Sequence, residues 1–110
     1  PGLETHPGYA IHQSQSTSNG AVFSFTLPNY ETAKAFASAM EIPVVAVSLG
    51  GVESILSYPA KMSHAAMEPE ERLKRGITDG LFRFSVGLEN VDDLLADFEQ
   101  ALAIASELVK

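Results

Sequence analysis

Apolar and polar positions alternate along Val22–Leu27, with Phe23, Phe25 and Leu27 on one side and Ser24 and Thr26 on the other. A period of two marks a half-buried strand. Pro28 ends it, and Asn29 is an N-cap residue for a helix on which Ala33, Phe36, Ala37 and Met40 recur at helical spacing. Pro43 closes that helix from behind. The β-branched run Val44–Ser48 predicts a second strand. Gly50 and Gly51 turn the chain so that Ser54–Tyr58 pairs back as a third, until Pro59 stops it. Pro69–Arg75 has proline in its first turn and bases in its last, with Gly76 as the residue after the cap, so it predicts a short helix.

Leu81–Val86 carries the clearest strand pattern, with Phe82, Phe84 and Val86 on one face and Leu81, Arg83 and Ser85 on the other. Asn90 caps a final helix whose first turn holds Asp92 and Asp93, where the helix dipole favours acids. Val91, Leu94, Leu95, Phe98, Ala101, Leu102, Ala105 and Leu108 form one apolar stripe over about five turns. Residues 1–20 lack such periodicity. His6-Pro7-Gly8 breaks structure, Gln13–Gly20 is a soft polar tract, and only a short helical turn around Gly8–Gln13 is compatible with the pattern. These residues read as a mobile lead-in segment. The order β-α-β-β-α-β-α predicts an α+β fold, a two-layer sandwich in which a small, mostly antiparallel sheet carries helices on one face. The phenylalanine faces and the two longer helical stripes then make the core.

Composition narrows the function. The 110 residues are 45% hydrophobic and 19% charged, which suits one globular domain, residues 21–110. Fourteen acids against seven bases give a net charge of −7, the wrong sign for a nucleic-acid footprint, and the bases form no dense run for an anionic membrane. There is no cysteine, so thiol nucleophiles, disulfides and thiolate zinc sites are excluded. No stretch reaches the ~20 apolar residues of a membrane span.

Arg83 is the first candidate for chemistry. It sits mid-strand between two phenylalanines and points away from the helical layer. A guanidinium stays charged and forks onto a carboxylate with two hydrogen bonds, so Arg83 reads as a carboxylate anchor or, more plainly, as a surface arginine paired with an acid. Ser48-Leu49-Gly50-Gly51 is the second: two glycines after a strand let backbone N–H groups approach a ligand, or simply make a tight turn. His6, His12 and His64 share no metal-binding spacing, and no metal is expected. The acid clusters Glu68-Glu70-Glu71 and Asp92-Asp93 are explained by helix starts. Lys34, Lys61, Lys74 and Lys110 lie in no apolar stretch that would activate a nucleophile. Taken alone, these residues do not reach a reaction.

The blocks Ala46–Ser54, Tyr58–His64, Glu70–Arg72 and Gly76–Glu89, in that order, resemble the C-terminal domain of the Cys/Met metabolism enzymes that depend on pyridoxal phosphate (PLP). This family includes methionine γ-lyases, cystathionine γ-lyases, γ-synthases and β-lyases. The similarity runs from about His6 to the final helix. It implies a longer, cytoplasmic parent, a homotetramer whose preceding large domain binds PLP and supplies the cofactor's lysine. This chain alone is then expected to hold no cofactor and to be inactive. The resemblance implies that Arg83 grips the substrate α-carboxylate and that Ser48 lies beside the cofactor and helps position substrate and lysine. Val47 stands where cystathionine-handling members carry glutamate. The resemblance thus implies a methionine γ-lyase-like carbon–sulfur lyase, with cystathionine enzymes and a non-enzymatic amino-acid-binding module as the other readings.

Overall fold

The computed structural model describes residues 1–109. Its elements are α1 (Tyr9–Gln15), β1 (Val22–Thr26), α2 (Tyr30–Ala39), β2 (Val44–Val45), β3 (Ile55–Ser57), α3 (Pro69–Lys74), β4 (Leu81–Ser85) and α4 (Val91–Ser106). Short 3-10 turns follow β3 and α4 at Pro59–Lys61 and Glu107–Val109. The four strands form one mixed sheet in the order β1-β4-β3-β2. β4 is antiparallel to both neighbours, setting Phe84 opposite Phe23 and Leu56, and Arg83 opposite Ser24 and Ser57.

The expected elements form for the expected local reasons. Asn29 accepts from the Thr32 N–H at 2.9 Å, and the Thr32 hydroxyl answers the Asn29 N–H, so α2 starts on a capping box. Asn90 accepts from the Asp92 and Asp93 N–H groups at the start of α4. Gly76 has φ +76°, a conformation that favours glycine just past a helix end.

Several expectations are corrected. The second strand keeps only Val44–Val45 of the predicted Val44–Ser48, and it runs parallel to β3. Gly50 and Gly51 therefore lie within a crossover loop and do not form a hairpin turn. A parallel neighbour cannot be reached by a tight reversal, so the chain must travel back along the sheet before β3 begins. The short helical turn expected around Gly8–Gln13 does form, as the seven-residue α1, none of whose residues is buried. The predicted stripe is split: Leu94, Ala101 and Ala105 of α4 are buried, whereas Val91, Leu95 and Leu102 of α4 and Leu108 in the 3-10 turn beyond it are exposed.

The core is a cluster of aromatic rings between sheet and helices. Phe36 of α2 meets Phe25 and Phe82 at centroid distances of 5.5 Å each, and Phe98 of α4 meets Phe84 edge-on at 4.9 Å. Both longer helices thus cover one face of the sheet. The opposite face presents Ser24, Arg83, Ser57 and Ser85. Phe23 shares the inner face but is 46% exposed, because β1 is an edge strand.

Asp97 is the polar exception inside α4. Its buried carboxylate accepts from the Glu41 N–H at 3.0 Å, the Ile42 N–H at 2.8 Å and the Gln100 amide at 2.9 Å. It thereby satisfies the chain as it leaves α2. Burial works against the charged form, but the Ile42, Gln100 and Glu41 donors outweigh it and hold the carboxyl below its usual range. A carboxyl depressed on folding stabilises the fold fully above its unfolded pKa, about 3.9 for aspartate, and loses that contribution as pH falls through the lower folded value. Asp97→Asn should therefore cost about 1–2 kcal/mol at pH 7 and much less below pH 3, read from urea unfolding at both pH values. An equal cost at both would contradict a role for the charge.

Candidate functional site

Arg83 is the centre of the polar sheet face. Alternation along β4 buries Phe82 and Phe84 and sends Arg83 the other way, where it is half-buried. Its Nη2 donates to the Ser48 carbonyl at 2.9 Å and to the Ser57 hydroxyl at 3.3 Å. Its Nε is shielded from solvent and has no partner among the described residues. Among the described residues none of its contacts is a carboxylate, so the plain reading of an arginine paired with a surface acid finds no support there. The described ion pairs are Arg72–Asp79, Lys74–Glu71 and Arg75–Glu71. A buried guanidinium donor left unpaired is costly, and it marks a place where an acceptor fits.

The two regions singled out from sequence, Arg83 and Ser48–Gly51, are thus brought together. Ser48 has φ +108°, a strained backbone for a residue other than glycine, costing about 1–3 kcal/mol. Gly50 follows with φ +78°, where glycine relieves the strain. The Gly50 N–H donates to the Ser85 hydroxyl at 2.8 Å, and the Ser57 hydroxyl donates to the Ala46 carbonyl at 2.6 Å. The crossover loop is therefore tied to β3 and β4, with the Ser48 carbonyl turned onto Arg83. Val47 lies beside Ser48 in the chain and is 59% exposed.

Other residues of this assembly were not singled out by the sequence. Ser57 and Ser85 flank Arg83 on its own face, a placement fixed by strand register rather than by any motif. The far end of the loop is held by Ser54 and Glu89. The Ser54 N–H donates to Glu89 Oε2 at 2.9 Å and its hydroxyl to Oε1 at 2.8 Å. The Ser54 N–H, more than any other group, holds the Glu89 carboxyl below its usual range. Arg72, also unforeseen, is buried and donates to the Met67 carbonyl at 2.7 Å, which fixes α3 against its preceding loop.

Two of the three histidines make local contacts: His6 Nδ1 accepts from the Gly8 N–H at 2.9 Å, and His64 Nδ1 lies 2.7 Å from the Ser63 hydroxyl. The described residues contain no cluster of three metal-ligating side chains. No described helix is long and apolar enough to cross a membrane.

The family model described as "Cys/Met metabolism PLP-dependent enzyme" matches residues 1–103. The chain belongs to this family. It is 65% identical over 102 residues to cystathionine beta-lyase MetC of Bacillus subtilis, covering 93% of this chain and 26% of that protein. It is 50% identical over 103 residues to an L-methionine gamma-lyase of Fusobacterium nucleatum, with the same coverage of each. Among solved structures, cystathionine gamma synthase of Xanthomonas oryzae in complex with cystathionine superposes with a TM-score of 0.88 at 44% identity, over 97% of this chain and 28% of that one. The chain thus spans about a quarter of the length of the relatives it matches.

The family implies pyridoxal phosphate, and the side chains here fit only part of what that chemistry needs. Lys34, Lys61 and Lys74 are all exposed; Lys61 lies over the Tyr30 ring and Lys74 pairs with Glu71, and Lys110 lies outside the described residues. None of the three has the buried setting of a lysine activated to carry a cofactor. Arg83 contributes instead a half-buried cation whose Nε has no partner among the described residues.

Proposed function

We propose that this chain is the C-terminal domain of a PLP-dependent carbon–sulfur lyase acting on a sulfur amino acid, and that Arg83 is its α-carboxylate anchor. The observation that carries this reading is the half-buried Arg83 guanidinium with a shielded, partnerless Nε, fixed through Nη2 to Ser48 and Ser57. Nη2 is held by the protein for orientation, which leaves Nε and Nη1 as the donors for a ligand. A carboxylate held against a guanidinium that is itself fixed cannot move freely, so the substrate Cα is presented in one orientation. PLP, held by the rest of the subunit, would supply the electron sink for bond breaking at Cα. Ser48 supports the same task from beside the cofactor, through a carbonyl that aims Arg83. The chain by itself neither binds the cofactor nor turns over substrate, and the parent is a cytoplasmic homotetramer.

Two substrate readings remain distinct. An uncharged, exposed Val47 suits a neutral thioether such as methionine. The 65% identity to a cystathionine beta-lyase favours cystathionine. The Val47 reading leads to γ-elimination from methionine, giving an oxo acid, ammonia and a thiol. Steady-state assays of the full-length subunit with each amino acid separate them. The expected result is a kcat/KM for methionine at least about tenfold above that for cystathionine, the range one side-chain contact supplies. The reverse preference would assign the chain to the cystathionine lyases and remove Val47 as a determinant. A subunit active on neither would overturn the lyase reading.

A further inference from the structure

The loop that aims Arg83 is held at its far end by one charged group. Ser54 is fully buried, and all of its polar atoms are engaged. Its carbonyl accepts from the Val44 N–H at 2.9 Å, its hydroxyl accepts from the Gly87 N–H at 2.9 Å, and its N–H and O–H both donate to Glu89. One residue earlier in the loop than Glu53, the Val52 carbonyl accepts from the Leu88 N–H at 2.8 Å. The two segments touch so closely that a Cβ at Gly87 would lie 2.5 Å from Glu53 C and Ser54 N. Glu89 therefore closes a clasp between the end of β4 and the return of the crossover loop. The strained Ser48 lies between this clasp and the anchor at Ala46.

We propose that Glu89 is a positioning residue for substrate carboxylate recognition: by clasping Ser54 it holds the crossover loop in the one conformation that sets the Ser48 carbonyl on Arg83. It touches neither substrate nor cofactor. A backbone held at φ +108° relaxes when its flanking restraints are loosened, and the Ser48 carbonyl turns with it. Arg83 then keeps its charge and loses its aim. A charge-assisted hydrogen bond depends on direction, so misaiming weakens substrate capture more than it affects later steps.

This inference rests on Arg83 being the carboxylate anchor, and a double-mutant cycle in the full-length subunit keeps the two ideas separable. Glu89→Ala is expected to raise KM about tenfold, with kcat changed about twofold at most and the cofactor's visible absorbance unchanged. Glu89→Gln, whose amide can still accept from the Ser54 N–H, should bring KM back to within about threefold of the parent. In an Arg83→Ala background, Glu89→Ala should add less than about a twofold effect, because there is no longer a guanidinium to aim. The full tenfold effect in that background, or a fall in kcat with KM unmoved, would make Glu89 merely structural and overturn the proposal. Should Glu89→Ala fail to fold, Glu89→Asp carries the same cycle, since it keeps the charge and shortens the reach. If Arg83→Ala itself leaves KM untouched, it is the anchor assignment that fails, whatever Glu89 does.

Discussion

Arg83→Ala in the full-length subunit is expected to raise KM for the amino-acid substrate at least about a hundredfold, while the bound cofactor's absorbance stays as in the parent. Truncating one side of a desolvated, hydrogen-bonded charge pair costs about 2–5 kcal/mol, and every 1.4 kcal/mol is a factor of ten in affinity. Nη2 of Arg83 already has protein partners that fix the guanidinium, and Nε has none among the described residues. Arg83→Lys separates charge from geometry. Lysine keeps the positive charge but presents a point charge on a flexible stem, so it should recover only part of the loss. A variant that lost cofactor yet bound substrate normally would place Arg83 on the cofactor side and contradict the assignment.

That prediction starts from a position the sequence made visible. Strand alternation alone put Arg83 opposite Phe82 and Phe84, and the register places it so. The caps at Asn29 and Asn90 and the stop at Gly76 were equally legible, since each depends on neighbours within four residues. What was not legible depends on partners distant in the chain. The parallel pairing of β2 with β3 has no local signature, because a β-branched pair reads the same beside either kind of neighbour. Ser54, Ser57, Ser85 and Glu89 are ordinary polar residues until the sheet brings them to one loop. Asp97 lies on the helical stripe and was hidden by hydrophobic neighbours, although a lone acid on an apolar face is itself a signal of a buried capping role. The exposed half of the α4 stripe shows the converse limit: periodicity reports which positions are apolar, not how wide the covering layer is.

The same alternation makes the core a determinant of the site, which sets up the largest expected stability effect. Phe82→Ala should destabilise the domain by about 3–5 kcal/mol, the range for truncating a fully buried aromatic ring. Phe82 is completely buried, and its ring meets Phe25 at 5.4 Å, Phe36 at 5.5 Å and Tyr58 at 5.1 Å, so strand, helix and the chain after β3 all lose a partner at once. Phe82→Leu, which leaves less empty volume, should cost clearly less. Phe82 is also the residue before Arg83 on a central strand. A β4 that slips by one position to refill the cavity would turn Arg83 into the core and an apolar neighbour onto the polar face. Burying that charge without a partner costs more than the cavity does, so the register should hold and the ring's loss should appear as lowered stability. The denaturant midpoint for this domain should therefore fall with the slope preserved, while KM in the remaining folded subunit stays near that of the parent. A raised KM at unchanged stability would show instead that the strand had moved, and that the packing beneath Arg83, rather than the loop above it, governs where the guanidinium points.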